Sequence, residues 1–359
     1  MTKPSRNMTN DSLLDVNLER EINMNKVDLD WLPLEFQDRL FSIIVPSYNR
    51  AHTILETLDS AWAQTYRPIE VVVVDDGSTD DTKEVVEKWT EQHAGDVDFH
   101  LSYEFQENAG VCAARNRALR KCKGSYIQFV DSDDTIYPER MERLVCLFKE
   151  SGCDYIETGF EGFLEENREV VETHYGHTIS NHLDLLLEGR LWPNTLRPAY
   201  TRDLISRNGP WNEEMVTLQD YEYVIRALTL DPTPACEAIH DVLASARRDG
   251  GARLSDIIKQ KEGRRLRINC ERILCDGVRD RQDITDVRKE QLASRLYALA
   301  FRCNGSGWTD LGRECASLAD GLNVRLSRLG MRRRLIYKMG RVGAVLYGVV
   351  SKLKGSANR

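Results

Sequence analysis

The chain lacks the features that would place it in several broad classes. No apolar run approaches the roughly eighteen residues a membrane span requires; the longest candidate, 342–350, has nine. Aromatics are scarce at 8 %, against 41 % apolar and 30 % charged residues, so the composition predicts a soluble globular chain with ample core material. The nine cysteines form no CxxC pair and no zinc-like Cys/His spacing. Their odd number favours buried, reduced thiols in a cytoplasmic protein over a disulfide framework. Met1 to Arg20 is polar with both charge signs, which predicts no secretory signal, and the Asn-x-Ser/Thr triplets at Asn7, Asn10 and Asn304 then read as chance. Neither GxxxxGK[ST] nor GxGxxG follows the first strand, which removes the main warrant for a P-loop phosphotransferase or a dinucleotide dehydrogenase.

Charge is unevenly spread. The net value is −8, yet 331–359 holds eight Lys or Arg and no acid, so the first 330 residues carry −16. An acidic body argues against nucleic-acid binding, which needs a basic surface to displace counterions. Within the basic tail, Leu335, Met339, Val342, Leu346, Val349 and Leu353 recur at helical spacing. Basic and amphipathic together, 331–354 fits peripheral contact with an anionic membrane, on the inner surface for a cytoplasmic protein. A helix packed on the body is the alternative.

Residues 1–40 show no sustained periodicity and read as an extension. From Phe41 onward, strands and helices alternate. Ser42–Pro46 is a short apolar strand ended by proline, followed by a helix with Ile54, Leu58 and Trp62 on one face. Ile69–Val74 is a β-branched run typical of a strand buried on both sides. Phe99–Tyr103, Tyr126–Val130 and Asp154–Thr158 add strands, with helices over 110–122 and 138–149 between them. This pattern predicts an α/β fold with a mostly parallel sheet flanked by helices. Beyond 160 the signal is mixed, with a helix over 219–230 and a strand over 235–247. From Leu254 it is helical, with breaks near 276–283, 304–307 and Gly330. The expected divisions are an extension over 1–40, a catalytic domain over 41–255, and a helical region with its basic tail over 256–359.

Two acidic clusters, Asp75-Asp76 and Asp131-Ser132-Asp133-Asp134, fall at strand C-termini, where ligands of open α/β sheets collect. Several carboxylates on one turn repel each other, and a hard divalent cation, Mg²⁺ or Mn²⁺, relieves this. Taken alone, a DxD turn more often is a solvated turn with a helix cap; its place after a buried strand, with a second Asp pair on another, brings the two readings level.

Several segments in order carry a family resemblance: Ser42–Asn49, Gln64-Thr65-Tyr66, Glu70–Asp80, Asn108-Ala109-Gly110, Ala114-Arg115-Asn116, and Gly124–Ile127 leading into Asp131–Asp134. Together they resemble the family 2 glycosyltransferases of GT-A fold, closely over 41–150 and more loosely to 255. The resemblance implies inverting transfer of a sugar from a nucleoside diphosphate sugar, UDP-linked by family frequency, to an acceptor hydroxyl of a glycan, lipid-linked saccharide or protein. It implies that Tyr48 packs on the nucleobase, Asp76 bonds it, and Arg115 lies near the nucleotide, with Pro46, Asn49 and Ser132 as donor-site neighbours. Asp131 and Asp133 match the pair serving the ribose and the metal–diphosphate, and Asp134 the adjacent acid; which of the three ligates is open. Asp220, in Leu218–Glu222, falls on the general base, although Gln219 replaces the usual Glu and Asp220 could simply cap its helix. Trp211–Glu214 resembles the loop that closes over the acceptor side. Asp249 stands where some members place a metal-reaching His. His174, His177 and His182 read as polar surface, with no zinc assigned. Glu161, Trp192 and Asn194 fall in the region expected to shape the acceptor pocket. A non-catalytic sugar-nucleotide-binding scaffold and a sugar nucleotidyltransferase are the alternatives. The second loses ground because Pro46–Arg50 stands where such enzymes have a Gly-rich, Arg-containing loop.

Overall fold

A computed structural model of the chain describes residues 31–33, 36–177, 181–248 and 260–338. In chain order the elements are β1 (Gln37–Ser47), α1 (Ile54–Trp62), β2 (Ile69–Asp75), α2 (Thr82–Gln92), β3 (Phe99–Phe105), α3 (Val111–Leu119), β4 (Gly124–Phe129), β5 (Thr135–Ile136), α4 (Arg140–Ser151) and β6 (Tyr155–Leu164). There follow β7 (Val170–His174), α5 (His182–Glu188), β8 (Pro198–Thr201), α6 (Arg202–Asn208), α7 (Gln219–Leu228), β9 (Cys236–Arg248), α8 (Lys261–Arg279), α9 (Asp286–Gly305), α10 (Thr309–Gly321) and α11 (Arg328–Lys338).

The strands form one sheet in the order β3-β2-β1-β4-β8-β6-β9-β5, with β7 on the flank of β6. Pairing is parallel from β3 through β4 and again between β6 and β9; β8 runs against both its neighbours, and β5 and β7 run against β9 and β6. The mostly parallel sheet read from the alternation is therefore present. β2 is buried at all seven positions, as its Val run requires of a strand covered on both faces. Ile43 sits beside Val71 and Gln128, which fixes the register that brings the ends of β1, β2 and β4 to one edge.

Some boundaries differ from expectation. β1 begins at Gln37, because Gln37 N–H donates to the Lys123 carbonyl at 2.8 Å; its first three residues are exposed and polar, so no hydrophobic pattern marks them. It also continues through Pro46 to Ser47. The last helical break lies at 322–327 instead of at Gly330, which is inside α11 and donates its N–H to Ser327 Oγ at 3.3 Å. The short α5 and α6 escaped the sequence reading because seven residues hold too little period. Each is started by a side-chain cap, Asn181 accepting from Asp184 N–H and Thr201 from Leu204 N–H.

One apolar layer under the sheet joins Phe41, Val71 and Val73 to α1, α2 and α4; the opposite layer joins Ile44, Val72 and Phe129 to α3, α6 and α7. A third core belongs jointly to α5, α7 and the helices α8 to α10, including Leu186, Tyr221, Leu228, Leu274 and Leu296. The boundary placed at 255 thus separates segments that share one core. Arg140, fully buried on α4, donates to Gln128 Oε1 on β4, Thr158 Oγ1 on β6, and the carbonyls of Leu196 and Arg197. It fixes the loop before β8 to the middle of the sheet. All nine cysteines are free thiols; seven are buried, as expected, whereas Cys146 is exposed and Cys236 partly buried.

Candidate active site

The ends of β1 and β2 deliver the first part of the site. Pro46 is buried in the sheet and Tyr48, directly beyond it, is exposed. Asn49 adopts a left-handed backbone, φ 53°, a conformation Asn tolerates better than most residues. There its side chain accepts from Thr79 N–H at 2.8 Å while its own N–H donates to Ser78 Oγ at 2.8 Å. Asp75 is turned inward, accepting from Ser78 N–H and the Tyr103 hydroxyl. Asp76 accepts from Gln106 Nε2 (2.7 Å), Ala109 N–H (2.8 Å) and Gly110 N–H (2.9 Å). This carboxylate staples the Asp-Asp-Gly turn to the Asn-Ala-Gly turn. The two approach so closely that a Cβ on Gly77, itself at φ +86°, would meet Asn108 N at 2.8 Å.

The turn after β4 supplies the second part. Arg115 on α3 is buried and donates to Asp131 Oδ1 at 2.9 Å, with Thr195 Oγ1 at 3.4 Å, while its guanidinium lies 4.4 Å from the Trp211 ring centre. The neighbouring Asn116 holds the same loop, accepting from Trp211 N–H and donating to the Trp211 carbonyl and Glu213. Ser132 is buried, and its carbonyl accepts from Thr53 Oγ1. Asp133 lies 3.5 Å from Arg50 Nη2. Burial, with the charge of Asp131 adding to it, pushes its carboxyl above the usual range although Arg50 opposes this. Asp134 accepts from Arg247 N–H at 3.0 Å. Burial and the charges of Asp131 and Asp133 push its carboxyl well up.

Asp220 opens α7. Leu218 before it is left-handed at φ 62°, a strained state for a branched side chain and of the kind that persists where surrounding contacts over-determine it. Burial raises the Asp220 carboxyl to about 6, against the opposing pull of Tyr221 N–H and Arg115. Arg115 therefore acts on both Asp131 by contact and Asp220 by its charge. The structure thus brings Arg115, Asp131 and Asp220 into one electrostatic group and holds Asp76 in a separate cage.

Asp131, Asp133 and Asp134 put three carboxylates within four residues, two of them raised by burial and by the charge of Asp131; by donor type such a set suits a hard divalent cation, while Arg115 and Arg50 already face Asp131 and Asp133. Among the described residues, the ligand atoms that converge within 4.8 Å of one another are those of Glu157, His177 and His182, and the Asp131–Asp134 carboxylates form no such group. Here the polar-surface reading of the histidines fails for two of them. His182 is fully buried and lies 3.0 Å from Glu157 Oε2, His177 Nδ1 is 2.7 Å from the same oxygen, and Arg197 Nη2 is 2.6 Å from the other. Arg197 already balances this carboxylate and would repel a cation, so hydrogen bonding accounts for the cluster. His174 is half exposed beside Glu172. Glu161 accepts from the Tyr137 hydroxyl, and Asn194 accepts from Leu196 N–H within its own loop. Asp249 lies outside the described residues. Arg50, Thr195 and Arg247 were not singled out for the site; each follows or precedes a recognised segment, but only the tertiary fold shows which carboxylate it meets.

Residues 42–198 match the model of glycosyl transferase family 2. The glycosyltransferase GlyA of Streptococcus pneumoniae is 44 % identical over 107 residues, which are 30 % of this chain and 15 % of GlyA. The uncharacterized glycosyltransferase YibD of Escherichia coli is 28 % identical over 176 residues, 46 % of this chain and 50 % of YibD. The chain thus spans half or less of the length of these curated relatives. The crystal structure of S. aureus TarS 1-349 superposes with a TM-score of 0.52 at 21 % identity, covering 84 % of this chain and 91 % of that one. The same TarS segment in complex with UDP-GlcNAc gives 0.53 at 21 % identity, covering 84 % and 92 %. At that identity the likeness is one of fold. Residues 42–198 thus carry a segment that matches glycosyl transferase family 2, with its motifs in this order on a sheet whose fold is shared with TarS.

Proposed function

We propose that the chain is an inverting glycosyltransferase that moves a sugar from a UDP-linked donor to a hydroxyl of a glycan, lipid-linked saccharide or protein. The observation that carries this reading is Asp220, a carboxylate tuned to about 6 within reach of the Arg115–Asp131 charges. Such a group is ionised near neutral pH and basic enough to take the acceptor proton. Tyr48, exposed beside the Asp76 turn, offers a face for the nucleobase, with Pro46 and Asn49 fixing the turn around it. Arg115 and Ser132 flank the donor diphosphate and ribose at Asp131. Asp131, Asp133 and Asp134 would hold Mn²⁺ or Mg²⁺, which neutralises charge on the departing diphosphate when bound. That TarS binds UDP-GlcNAc on the same fold supports the donor class.

The test is direct. The protein with Mn²⁺ and UDP-GlcNAc should release UDP, and UDP with Mn²⁺ should raise its melting temperature, as any ligand of the folded state does. A chelator should remove both effects. A scaffold would bind without release, and a nucleotidyltransferase would yield sugar 1-phosphate with pyrophosphate. Because Asp76 staples two donor-side turns, Asp76→Ala should weaken UDP binding by about tenfold or more, from the ~1.5–3 kcal/mol that hydrogen bonds to a charged group contribute. Titration calorimetry would read this, and an unchanged affinity would remove Asp76 from the donor site.

The cellular placement we propose is cytoplasmic, with peripheral contact at the inner membrane surface. No helix among the described residues is long and apolar enough to cross a membrane. On α11, Met331 and Leu335 are both more than half exposed, one turn apart, in a segment with no acid. This exposed pair on a basic helix supports the membrane reading. Tyr337 meanwhile packs towards Tyr297, so the helix is also anchored to the body. The rest of the expected amphipathic tail, from 339 onward, lies outside the described residues.

A further inference from the structure

Trp192 is the one exposed tryptophan of the six in the chain, all of them among the described residues. Its loop also carries Thr195, which reaches Arg115. Its indole lies 5.6 Å from the ring of Tyr221, inclined by 33°, and Tyr221 directly follows Asp220. The guanidinium of Arg267, from α8, lies 3.8 Å from the Tyr221 ring centre and 4.7 Å from that of Trp192. Arg267 is held in turn by Glu271 at 2.9 Å, and Glu271 also accepts from the Tyr221 hydroxyl at 3.3 Å and pairs with Arg295. The indole is thus braced from within by a cation and a second ring, yet more than half its side chain faces solvent. An exposed indole loses the burial that usually repays so large an apolar surface, and here the brace keeps it from collapsing into the adjacent helical core.

Resting on the transferase reading, we propose that Trp192 is the platform on which a pyranose ring of the acceptor saccharide stacks, with Arg267 as the positioning residue that holds the platform. A pyranose has one face of C–H groups that matches an apolar ring, while its hydroxyls remain free to bond at the edges. The platform is one residue removed, through Tyr221, from the carboxylate proposed as base, so a stacked sugar is carried to the acceptor side of the site. The helical region thereby contributes to acceptor binding from outside the segment that matches the family.

Saturation-transfer NMR on the full chain, with Mn²⁺ and UDP present, tests this using methyl glycosides of glucose, galactose and N-acetylglucosamine as probes. At least one should bind in the millimolar range typical of a contact worth about 4 kcal/mol. Trp192→Ala should weaken it by about tenfold, whereas Trp192→Phe, which keeps an aromatic face, should stay within about threefold. UDP affinity should be unchanged in both variants. Arg267→Met should weaken the same glycoside without changing UDP affinity, and Trp192→Phe in that background should add no further loss. Binding of no glycoside by wild type, equal binding by Trp192→Ala, or a matching fall in UDP affinity would each overturn the platform. Failure of the wild type to bind UDP would instead count against the donor reading, leaving the glycoside result to stand separately.

Discussion

Asp220→Asn should lower the rate of sugar transfer by about 10²- to 10⁴-fold, the range a positioned general base contributes, while UDP affinity stays the same. The amide keeps the size and the local bond to Tyr221 N–H but has no basic lone pair to take the acceptor proton. The wild-type rate should also fall as pH drops through about 6, because burial sets the carboxyl there and its protonated form cannot act as base. Above that value the carboxylate is ionised and the rate should level off. In the variant this acid limb should vanish with the activity. Initial rates from pH 5 to 8 and calorimetric UDP titrations read both parts. A variant with near-normal rate and weakened UDP binding would assign Asp220 to donor binding or to helix capping.

Arg140→Leu should destabilise the fold by roughly 3 kcal/mol, the combined cost of buried neutral acceptors left without their donor. Among the described residues Arg140 pairs with no acid; its donors go to an amide oxygen, a hydroxyl and two carbonyls. Leucine would leave those acceptors buried without their donor, each costing about 1–3 kcal/mol if water cannot enter. Urea unfolding should show a lower midpoint with an unchanged slope. Because the carbonyls belong to Leu196 and Arg197, the 190–197 loop should loosen first, and hydrogen exchange there should rise before the β1–β2 strands are affected. A change of under 1 kcal/mol would mean that the cavity hydrates and that Arg140 is no pin.

Much of the sheet was legible because it is built by local rules. The Val71–Val74 run, the Ile44–Val45 strand and the helical spacing of Ile54, Leu58 and Trp62 each carry their own periodicity. The acidic clusters were legible for a related reason: a buried strand must end before charge begins, so Asp76 and Asp131 mark strand ends. What was hidden is tertiary. Nothing local to Arg50, Thr195 or Arg247 says which carboxylate it meets across the fold. His182 looked like a surface residue because its partners, Glu157 and Arg197, come from two other strands' surroundings. The division at 255 followed a change of periodicity, yet the apolar face of α7 is completed by helices that come after it.

That shared core gives the two sides of the site different ancestries of stability. Tyr48, Asp76 and Asp131 sit at the ends of β1, β2 and β4, which pair with one another within the first 130 residues. Asp220 rides on a helix whose apolar face is closed by α8 and its successors. A sequence change deep in those later helices, far from any substrate, therefore has a direct lever on the angle of the proposed base and little purchase on the donor end. A change in the helical half would thus act on the proposed acceptor side while leaving the proposed donor side intact.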